Sequence, residues 1–140
     1  MYYRAWFIVK KNQEKNDEPN LDLMKKAIRN HYEKLGYQVR FPKINIPVGN
    51  AAIDGEIIVD PEFKIAVELK GPNDNDVVKG LGQLSEALIK PEYRQAILVV
   101  TKKRGRTVRR ESFKKIGIGL VTVDSDANLC FLLDARDSYL

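Results

Sequence analysis

Apolar and polar side chains alternate along two short segments of this 140-residue chain, residues 53–59 and residues 65–70. A period of two is typical of strands with one buried face. Between the segments, Pro61 favours a turn, because proline fixes φ and has no backbone N–H to donate to a sheet. The pattern predicts a β-hairpin that carries Asp54 on its first strand and Glu68 and Lys70 at the end of its second.

The register of this hairpin is limited by its apolar faces. A slip of one residue would move every side chain of one strand to the other face, so only even registers bring the apolar sets together. The register that pairs Val59 with Phe63 sets Asp54 opposite Glu68, and the next even register sets Asp54 opposite Lys70. In both registers the two carboxylates and the ammonium are neighbours.

Such a cluster of charges indicates a binding site. Two carboxylates opposite each other on a sheet repel by roughly 0.2–1 kcal/mol. A hard divalent cation offsets that repulsion, since Mg²⁺ is typically held by one or two carboxylates together with substrate phosphate. We therefore expect Asp54 and Glu68 to bind a metal ion, and Lys70 to assist an attacking water or to stabilise charge on a phosphate. The alternative is a solvent-exposed ladder of charges that also includes Glu56 and Lys64.

Helices and strands are predicted before the hairpin as well. Residues 2–9 are rich in aromatic and β-branched side chains and predict an N-terminal strand, followed by a polar connector. Asn20 is a good N-cap for a helix whose apolar positions recur at helical spacing until Gly36 ends it. Residues 37–41 predict a short strand, and the prolines of residues 42–47 bracket an irregular or edge segment.

After the hairpin, the pattern predicts a right-handed crossover to a parallel strand. Residues 74–76 offer caps for a helix that runs to about Lys90, where Pro91 prevents continuation. The continuous apolar run of residues 95–101 predicts a central strand covered on both faces. Two glycines in the helix cost roughly 1 kcal/mol each relative to alanine, which indicates close packing on the sheet or the site. The buried stripe is Val77, Leu81, Leu84 and Leu88, and the glycines are Gly80 and Gly82.

One more helix and two strands are predicted near the C-terminus. Thr107 is placed to cap a short helix that runs to Ile116, and residues 120–123 and 129–133 predict two strands joined by a turn. Cys130 is the only cysteine, which excludes a disulfide within the chain, and we expect it to be a core residue.

Composition limits the class of protein. With 140 residues, 44% of them hydrophobic, the chain suits a single domain spanning residues 1–140. Its longest uninterrupted apolar run, residues 96–100, is far shorter than a membrane span, and two lysines at residues 10–11 interrupt the N-terminal apolar stretch before any signal-peptide cleavage pattern. We expect a soluble, cytoplasmic protein that does not bind membranes. His31 is the only histidine, so the chain has too few histidines and partner residues for a Ser-His triad or a histidine-dependent metal nuclease.

Basic residues are concentrated in residues 102–115. The formal net charge of the chain is +5 at pH 7, and Glu111 is the only acid in that segment. A block of this kind suits a polyanion, because each side chain that neutralises a phosphate releases counterions. The alternative is a solubilising loop and helix face. We predict contacts to a phosphate backbone from Lys102, Lys103, Arg104, Arg106, Arg109 and Arg110.

The order helix, strand, hairpin, helix and central strand resembles the PD-(D/E)XK, or restriction-endonuclease-like, nuclease superfamily over residues 20–123. Asp54 matches the first acidic residue of the family motif, although Ile53 precedes it where the family name has proline. Glu68, Leu69 and Lys70 match the (D/E)-x-K at a strand end. Gln83, between Gly82 and Leu84, looks like the glutamine on the helix of many members.

This resemblance implies an α/β fold with a mixed central sheet flanked by helices, extended by an extra N-terminal strand and by C-terminal strands. It also implies a nuclease that depends on Mg²⁺ or Mn²⁺. Asp54 and Glu68 would bind the metal, Lys70 would assist the water or the transition state, and Gln83 would position the site or the substrate. Small single-domain members include archaeal Holliday-junction resolvases and restriction-type enzymes, which favours DNA as the substrate, endonucleolytic cleavage and a homodimer.

One element of the family pattern has no convincing counterpart here. Many members carry an acid on the first helix, and the candidates in this chain are Asp22 near the helix start and Glu33 near its end. Asp22 also fits simple compensation of the helix dipole. A non-catalytic nucleic-acid-binding or assembly subunit is therefore an alternative, and an enzyme acting on nucleotides or another small anion is a third interpretation.

Overall fold

The fold is given by a computed structural model that describes residues 18–138; the predicted strand of residues 2–9 lies outside them. Helices and strands in this part of the chain follow the predicted order closely. They are α1 (Leu21–Lys34), β1 (Gln38–Arg40), β2 (Ile46–Val48), β3 (Ala51–Ile53), β4 (Gly55–Asp60), β5 (Phe63–Lys70), α2 (Val77–Leu88), β6 (Tyr93–Thr101), α3 (Lys102–Gly105), α4 (Glu111–Ile116), β7 (Gly119–Val123) and β8 (Leu129–Leu133).

A six-stranded mixed sheet forms the centre of the molecule, with the strand order β1-β4-β5-β6-β7-β8. β5, β6 and β7 are parallel, whereas β1, β4 and β8 run antiparallel to their neighbours. β2 and β3, within and just after the predicted edge segment, form a separate two-stranded sheet. The predicted α/β class, a mixed sheet flanked by helices with additional C-terminal strands, is confirmed. No helix within residues 18–138 has the length and apolar character needed to cross a membrane.

α1 begins and ends where its capping residues predict. The Asn20 side chain accepts a hydrogen bond from the Leu23 amide at 2.9 Å, which satisfies one of the free donors of the first turn. Gly36 follows the helix with φ of +88°, a conformation that favours glycine. Met24 and Ile28 are fully buried against the sheet.

Two apolar cores lie on opposite faces of the sheet, because successive side chains of a strand point to opposite sides. One core contains α1 together with Ile57, Ile65 and Val67, and the other contains Leu84 of α2 together with Ala66 and other alternate residues of the central strands. Glu68 and Lys70 have the parity of Ala66. Their side chains therefore share the α2 face of the sheet.

The β4–β5 hairpin adopts the register that sets Asp54 across from Glu68. Its ladder runs from Gly55 opposite Val67 to Ile58 opposite Lys64. A bulge at the turn end then pairs Asp60 with Phe63. The expectation that a strand covers residues 53–59 is wrong at Asp54, which lies in a bend between β3 and β4.

The bend has a steric cause at Gly55. A Cβ atom on this glycine would lie 2.3 Å from the Phe41 ring and 2.5 Å from the Arg40 carbonyl oxygen. The chain therefore passes β1 at a distance that only glycine allows. Asp54, directly before it, leaves the ladder and turns its backbone and side chain toward β5.

The predicted short helix that ends at Ile116 is present as α4, but its predicted start is wrong, because Thr107 does not cap it. Instead, Thr101 caps α3 by accepting a hydrogen bond from the Arg104 amide, so the chain becomes helical directly after β6. Thr107 lies after α3, and its hydroxyl donates a hydrogen bond to the Arg104 carbonyl. α4 then starts separately, with Arg110 at its N-cap position and no capping side chain.

Cys130 was expected in the core, and this expectation is wrong as well. Both strands near the C-terminus and the turn between them are present, but Cys130 is exposed. Among residues 18–138, β8 is the last strand of the sheet, so it has a neighbouring strand on one side only in this part of the chain. An edge strand buries fewer of its side chains than its apolar sequence suggests.

Candidate metal and phosphate site

Asp54, Glu68 and Lys70 come together at the carboxyl end of β5. The Asp54 amide donates to Glu68 Oε1 at 3.1 Å, and the Leu69 amide donates to Asp54 Oδ2 at 2.7 Å. Lys70 Nζ lies 3.5 Å from Glu68 Oε2. Two backbone hydrogen bonds thus hold the bend against the strand end and fix both carboxylates beside the ammonium.

Three charged residues of the hairpin, Glu56, Glu68 and Lys70, are buried. Glu56 is 1% exposed, Glu68 is 3% exposed and Lys70 is 8% exposed. The alternative of a solvent-exposed charge ladder is therefore wrong for these three residues. Charged side chains are rarely buried to this degree unless they are paired or bind a ligand, because removing a charge from water costs several kcal/mol.

Burial changes the acidity of Glu68. Burial, followed by the charge of Asp54 and its side-chain hydrogen bond, raises the pKa of this carboxyl to about 8, although the Lys70 ammonium and the backbone hydrogen bond from Asp54 oppose the shift. A raised pKa means that the ionised carboxylate is poorly compensated by its protein surroundings. An additional cation at this position would supply that compensation.

The donor set fits a two-carboxylate metal site. Asp54 and Glu68 each use one carboxylate oxygen in the backbone hydrogen bonds, and a hard cation such as Mg²⁺ accepts one or two carboxylates when water and phosphate complete its coordination. Residues 18–138 contain no cluster of three or more His, Cys, Asp or Glu side chains that could hold a metal. Asp22 and Glu33 are exposed on α1, which packs on the other face of the sheet.

Gln83 of α2 is tied to the chain next to this site. Its Nε2 donates to the Ala52 carbonyl at 2.8 Å, two residues before Asp54. Its Oε1 is buried and has no hydrogen-bond partner within the described residues. Since an unsatisfied buried acceptor costs about 1–3 kcal/mol, this oxygen is available to a donor that the protein itself does not supply.

Gly80, one turn before Gln83 on α2, leaves space for the Lys70 side chain because it has no side chain of its own. A Cβ atom at Gly80 would lie 2.9 Å from Leu98 Cδ1, 3.2 Å from Lys70 Cε and 3.7 Å from Glu68 Cγ. The predicted close packing is therefore present at Gly80. It is absent at Gly82, where a Cβ atom would meet nothing within 4 Å.

Glu56 belongs to a separate network of hydrogen bonds. The Tyr93 hydroxyl donates to its Oε1 at 2.6 Å, and Arg40 Nη1 donates to its Oε2 at 2.8 Å. Burial and the bond to Glu56 raise the pKa of Tyr93. Glu56 therefore links β1, β4 and β6, a supporting role. These partners were not predicted from the sequence, although Arg40 is the cross-strand partner of Glu56 once β1 is paired with β4.

The basic segment starts at the same end of the sheet. Lys70 pairs with Val100 in the parallel β5–β6 ladder, and α3 begins two residues after Val100. Arg104 is half-buried and donates to Asn75 Oδ1 at 2.8 Å, which joins α3 to the loop before α2. The exposed predicted phosphate contacts are Lys102, Lys103, Arg106, Arg109 and Arg110.

A cleft that the sequence did not indicate lies beside α3. Its volume is about 210 Å³, and Glu18, Thr101 and Lys103 are among its lining residues. Glu18 precedes α1 and carries no motif that would have marked it. Glu18 is therefore an additional acidic residue near the carboxyl end of the parallel strands.

The raised pKa of Glu68 predicts a pH-dependent stability in the absence of metal. With a folded-state pKa of about 8 against an ordinary value of 4.5, the folded protein binds this proton more tightly than the unfolded chain does. The contribution of Glu68 to stability is therefore fully present below about pH 4.5 and is lost as the pH rises to about 8.

Glu68→Gln, which cannot ionise, should remove this dependence. Urea titrations in EDTA, at several pH values between these limits, should show the variant becoming more stable than the wild type as the pH increases. The same pH slope in both proteins would show that the carboxyl is not destabilised by ionisation.

Comparisons with known proteins bear on the fold. No protein-family model matches the chain, and no curated protein matches it. An XisH family protein from Nostoc punctiforme superposes with a TM-score of 0.56 over 77% of this chain and 96% of that chain, at 21% identity. A protein of unknown function from Silicibacter pomeroyi superposes with the same score over 84% of this chain and 70% of its own, at 13% identity. These neighbours share the fold.

Proposed function

We propose that this protein is a metal-dependent nuclease of the PD-(D/E)XK type. The observation that carries the proposal is the contact of the half-buried Asp54 with the buried Glu68 at the end of β5, with Lys70 3.5 Å from the Glu68 carboxylate. Structural ion pairs do not need a second carboxylate against the first. A divalent cation is typically held by one or two carboxylates together with substrate phosphate, and this pair of acids suits such a site.

Each side chain has a defined part in this proposal. Asp54 and Glu68 would hold Mg²⁺ or Mn²⁺, which when bound supplies Lewis-acid polarisation of a phosphate and acidification of a water. Lys70 would hold its ammonium against the phosphate and stabilise the negative charge that develops during cleavage. Gln83 would use its free Oε1 to accept a hydrogen bond from the attacking water or the substrate.

A polynucleotide is the substrate class that suits the surroundings of the site. Exposed basic side chains follow β6 directly, beside the strand that carries Lys70. A phosphate chain entering the site would continue over these side chains, whereas a single nucleotide would not reach along them. We propose DNA as the substrate, endonucleolytic cleavage and a homodimeric enzyme.

The experiment that tests the proposal is a cleavage panel. Duplex, branched and single-stranded DNA, together with RNA, are incubated with the protein in Mg²⁺, in Mn²⁺ and in EDTA. Cleavage of at least one DNA form is expected with metal and is expected to be lost in Asp54→Ala and Glu68→Ala. Full activity in either variant or in EDTA would overturn the proposal.

Salt dependence tests the part assigned to the basic segment. Lys103→Ala combined with Arg106→Ala should weaken DNA binding and lower the slope of log affinity against log salt by about 2, one for each phosphate contact removed. Lys26→Ala combined with Lys34→Ala removes the same charge from exposed positions of α1. This control should leave the slope nearly unchanged, and equal effects of the two pairs would argue against a specific contact surface.

A second function, a non-catalytic nucleic-acid-binding subunit, is favoured by one observation. The described residues offer two carboxylates and no third metal ligand, since both candidate acids of α1 are exposed. Such a protein would bind DNA with the same dependence on salt and on the basic segment. It would cleave nothing in either metal, and Glu68→Ala would not change its affinity.

A further inference from the structure

One face of α2 is exposed although it carries large apolar side chains. Val78 is 78% exposed and Ile89 is 76% exposed. With about 100° per residue in a helix, Val78, Gly82, Ser85 and Ile89 fall within about 60° of one another. They form a continuous stripe, which we call the α2 outer stripe, on the side opposite to Leu84 and the sheet.

The centre of the α2 outer stripe is flat. Gly82 has no side chain, and an added Cβ would meet no atom of residues 18–138 within 4 Å, so no contact in the described part of the chain explains a residue that costs about 1 kcal/mol relative to alanine. Ser85 is small and donates its hydroxyl back to the Leu81 carbonyl. Small residues at this point allow another helix backbone to approach closely.

The stripe is complementary to itself when two copies lie antiparallel. A twofold axis at its midpoint sets Val78 of one copy against Ile89 of the other, and Gly82 against Ser85. Large apolar residues then meet at both ends, and small residues meet in the middle. A twofold contact of identical surfaces requires this kind of self-complementarity.

Charges beside the stripe follow the same symmetry. Lys79 and Glu86 lie on one flank of the helix, seven residues apart, and an antiparallel pair brings like flanks together. Lys79 of each copy is then set close to Glu86 of the other. A parallel twofold pair would bring opposite flanks together, so Lys79 and Glu86 of the two copies would not meet. The charges therefore favour the antiparallel arrangement.

We propose that the α2 outer stripe is the interface of a homodimer in which two copies pack α2 antiparallel around Gly82. A helix pair of this length covers less than the roughly 800 Å² per partner of a standard interface. A cleft of about 390 Å³ beside Ser85 and Leu88, lined also by Ile116, borders the stripe and extends the contact. The dimer is therefore expected to be of micromolar affinity.

This interface would place the two candidate sites back to back. The inner side of α2 carries Gly80 and Gln83, against Lys70 and the chain before Asp54, and the outer side carries the stripe. One helix from each copy thus separates the two sites. The inference stands whether or not the site cleaves DNA, because it uses none of the site residues as contacts.

Analytical ultracentrifugation of the whole chain tests the proposal, from about 1 µM to about 200 µM. The wild type is expected to pass from monomer to dimer over this range. Gly82→Leu has space in the monomer but would separate the helices, so it should stay monomeric. Asn30→Leu adds the same side chain at an exposed position of α1 and should dimerise as the wild type does.

A charge swap adds a readout that misfolding cannot imitate. Lys79→Glu alone and Glu86→Lys alone should each weaken the dimer at least tenfold, because both place like charges together. The double variant should recover wild-type association. A wild type that stays monomeric throughout, or a dimer unaffected by Gly82→Leu, would overturn the proposal, as would a double variant weaker than both single ones.

Discussion

Lys70→Ala is expected to lower kcat for metal-dependent cleavage by about 10²–10³-fold, the usual cost of removing one donor that stabilises transition-state charge. Lys70 is 8% exposed and its ammonium lies 3.5 Å from Glu68, so water does not replace it easily. Binding of DNA should change little, because most phosphate contacts are proposed to come from the basic segment. Steady-state rates with separate DNA affinities measure the two effects.

Lys64→Ala is the matched control for this variant. Lys64 lies on the same strand and the same face as Lys70 but at the opposite end, 3.8 Å from Glu56. Its removal should leave kcat within a few-fold of the wild type. Lys70→Met keeps the length of the side chain, so it serves as a second variant in case Lys70→Ala misfolds. Equal rates in the wild type and in both Lys70 variants would remove Lys70 from the chemistry.

Gly80→Ala and Gly82→Ala are expected to have opposite effects although they lie two residues apart in α2. Alanine at Gly80 would press on Leu98 and Lys70 and should lower the free energy of unfolding by about 1–2 kcal/mol. Alanine at Gly82 meets open space and should raise it by about 1 kcal/mol through helix propensity. Urea denaturation of dilute protein measures both.

Activity separates the same two variants. Gly80→Ala should also slow cleavage, because the added methyl group displaces the Lys70 side chain from its place beside Glu68. Gly82→Ala should cleave at the wild-type rate. If Gly80→Ala were as stable and as active as Gly82→Ala, the close contact of α2 with the site would be needed neither for stability nor for cleavage.

Much of the fold follows from local patterns in the sequence. Helix α1 is bounded by Asn20 and Gly36, whose capping roles depend only on neighbouring backbone. Parity limits the β4–β5 hairpin to even registers, since only these join the apolar faces, and of the two considered the structure adopts the one that sets Asp54 across from Glu68. These features need no knowledge of distant residues.

Other features depend on contacts that sequence spacing does not contain. Asp54 leaves its strand because Gly55 passes close to β1, and Glu68 is buried because α2 and β3 cover the end of β5. Thr107 loses its predicted capping role because Thr101 starts a helix earlier. Cys130 is exposed because β8 has no further neighbour within the described part of the chain. Each depends on tertiary packing.

The most direct test of the central claim is the rate of DNA cleavage by Glu68→Gln in Mg²⁺. Glu56→Gln is the matched control, because Glu56 is equally buried on the same face but already bonded to Tyr93 and Arg40. We expect metal-dependent cleavage by the wild type and by Glu56→Gln, and none by folded Glu68→Gln. Cleavage by Glu68→Gln at the wild-type rate would contradict it.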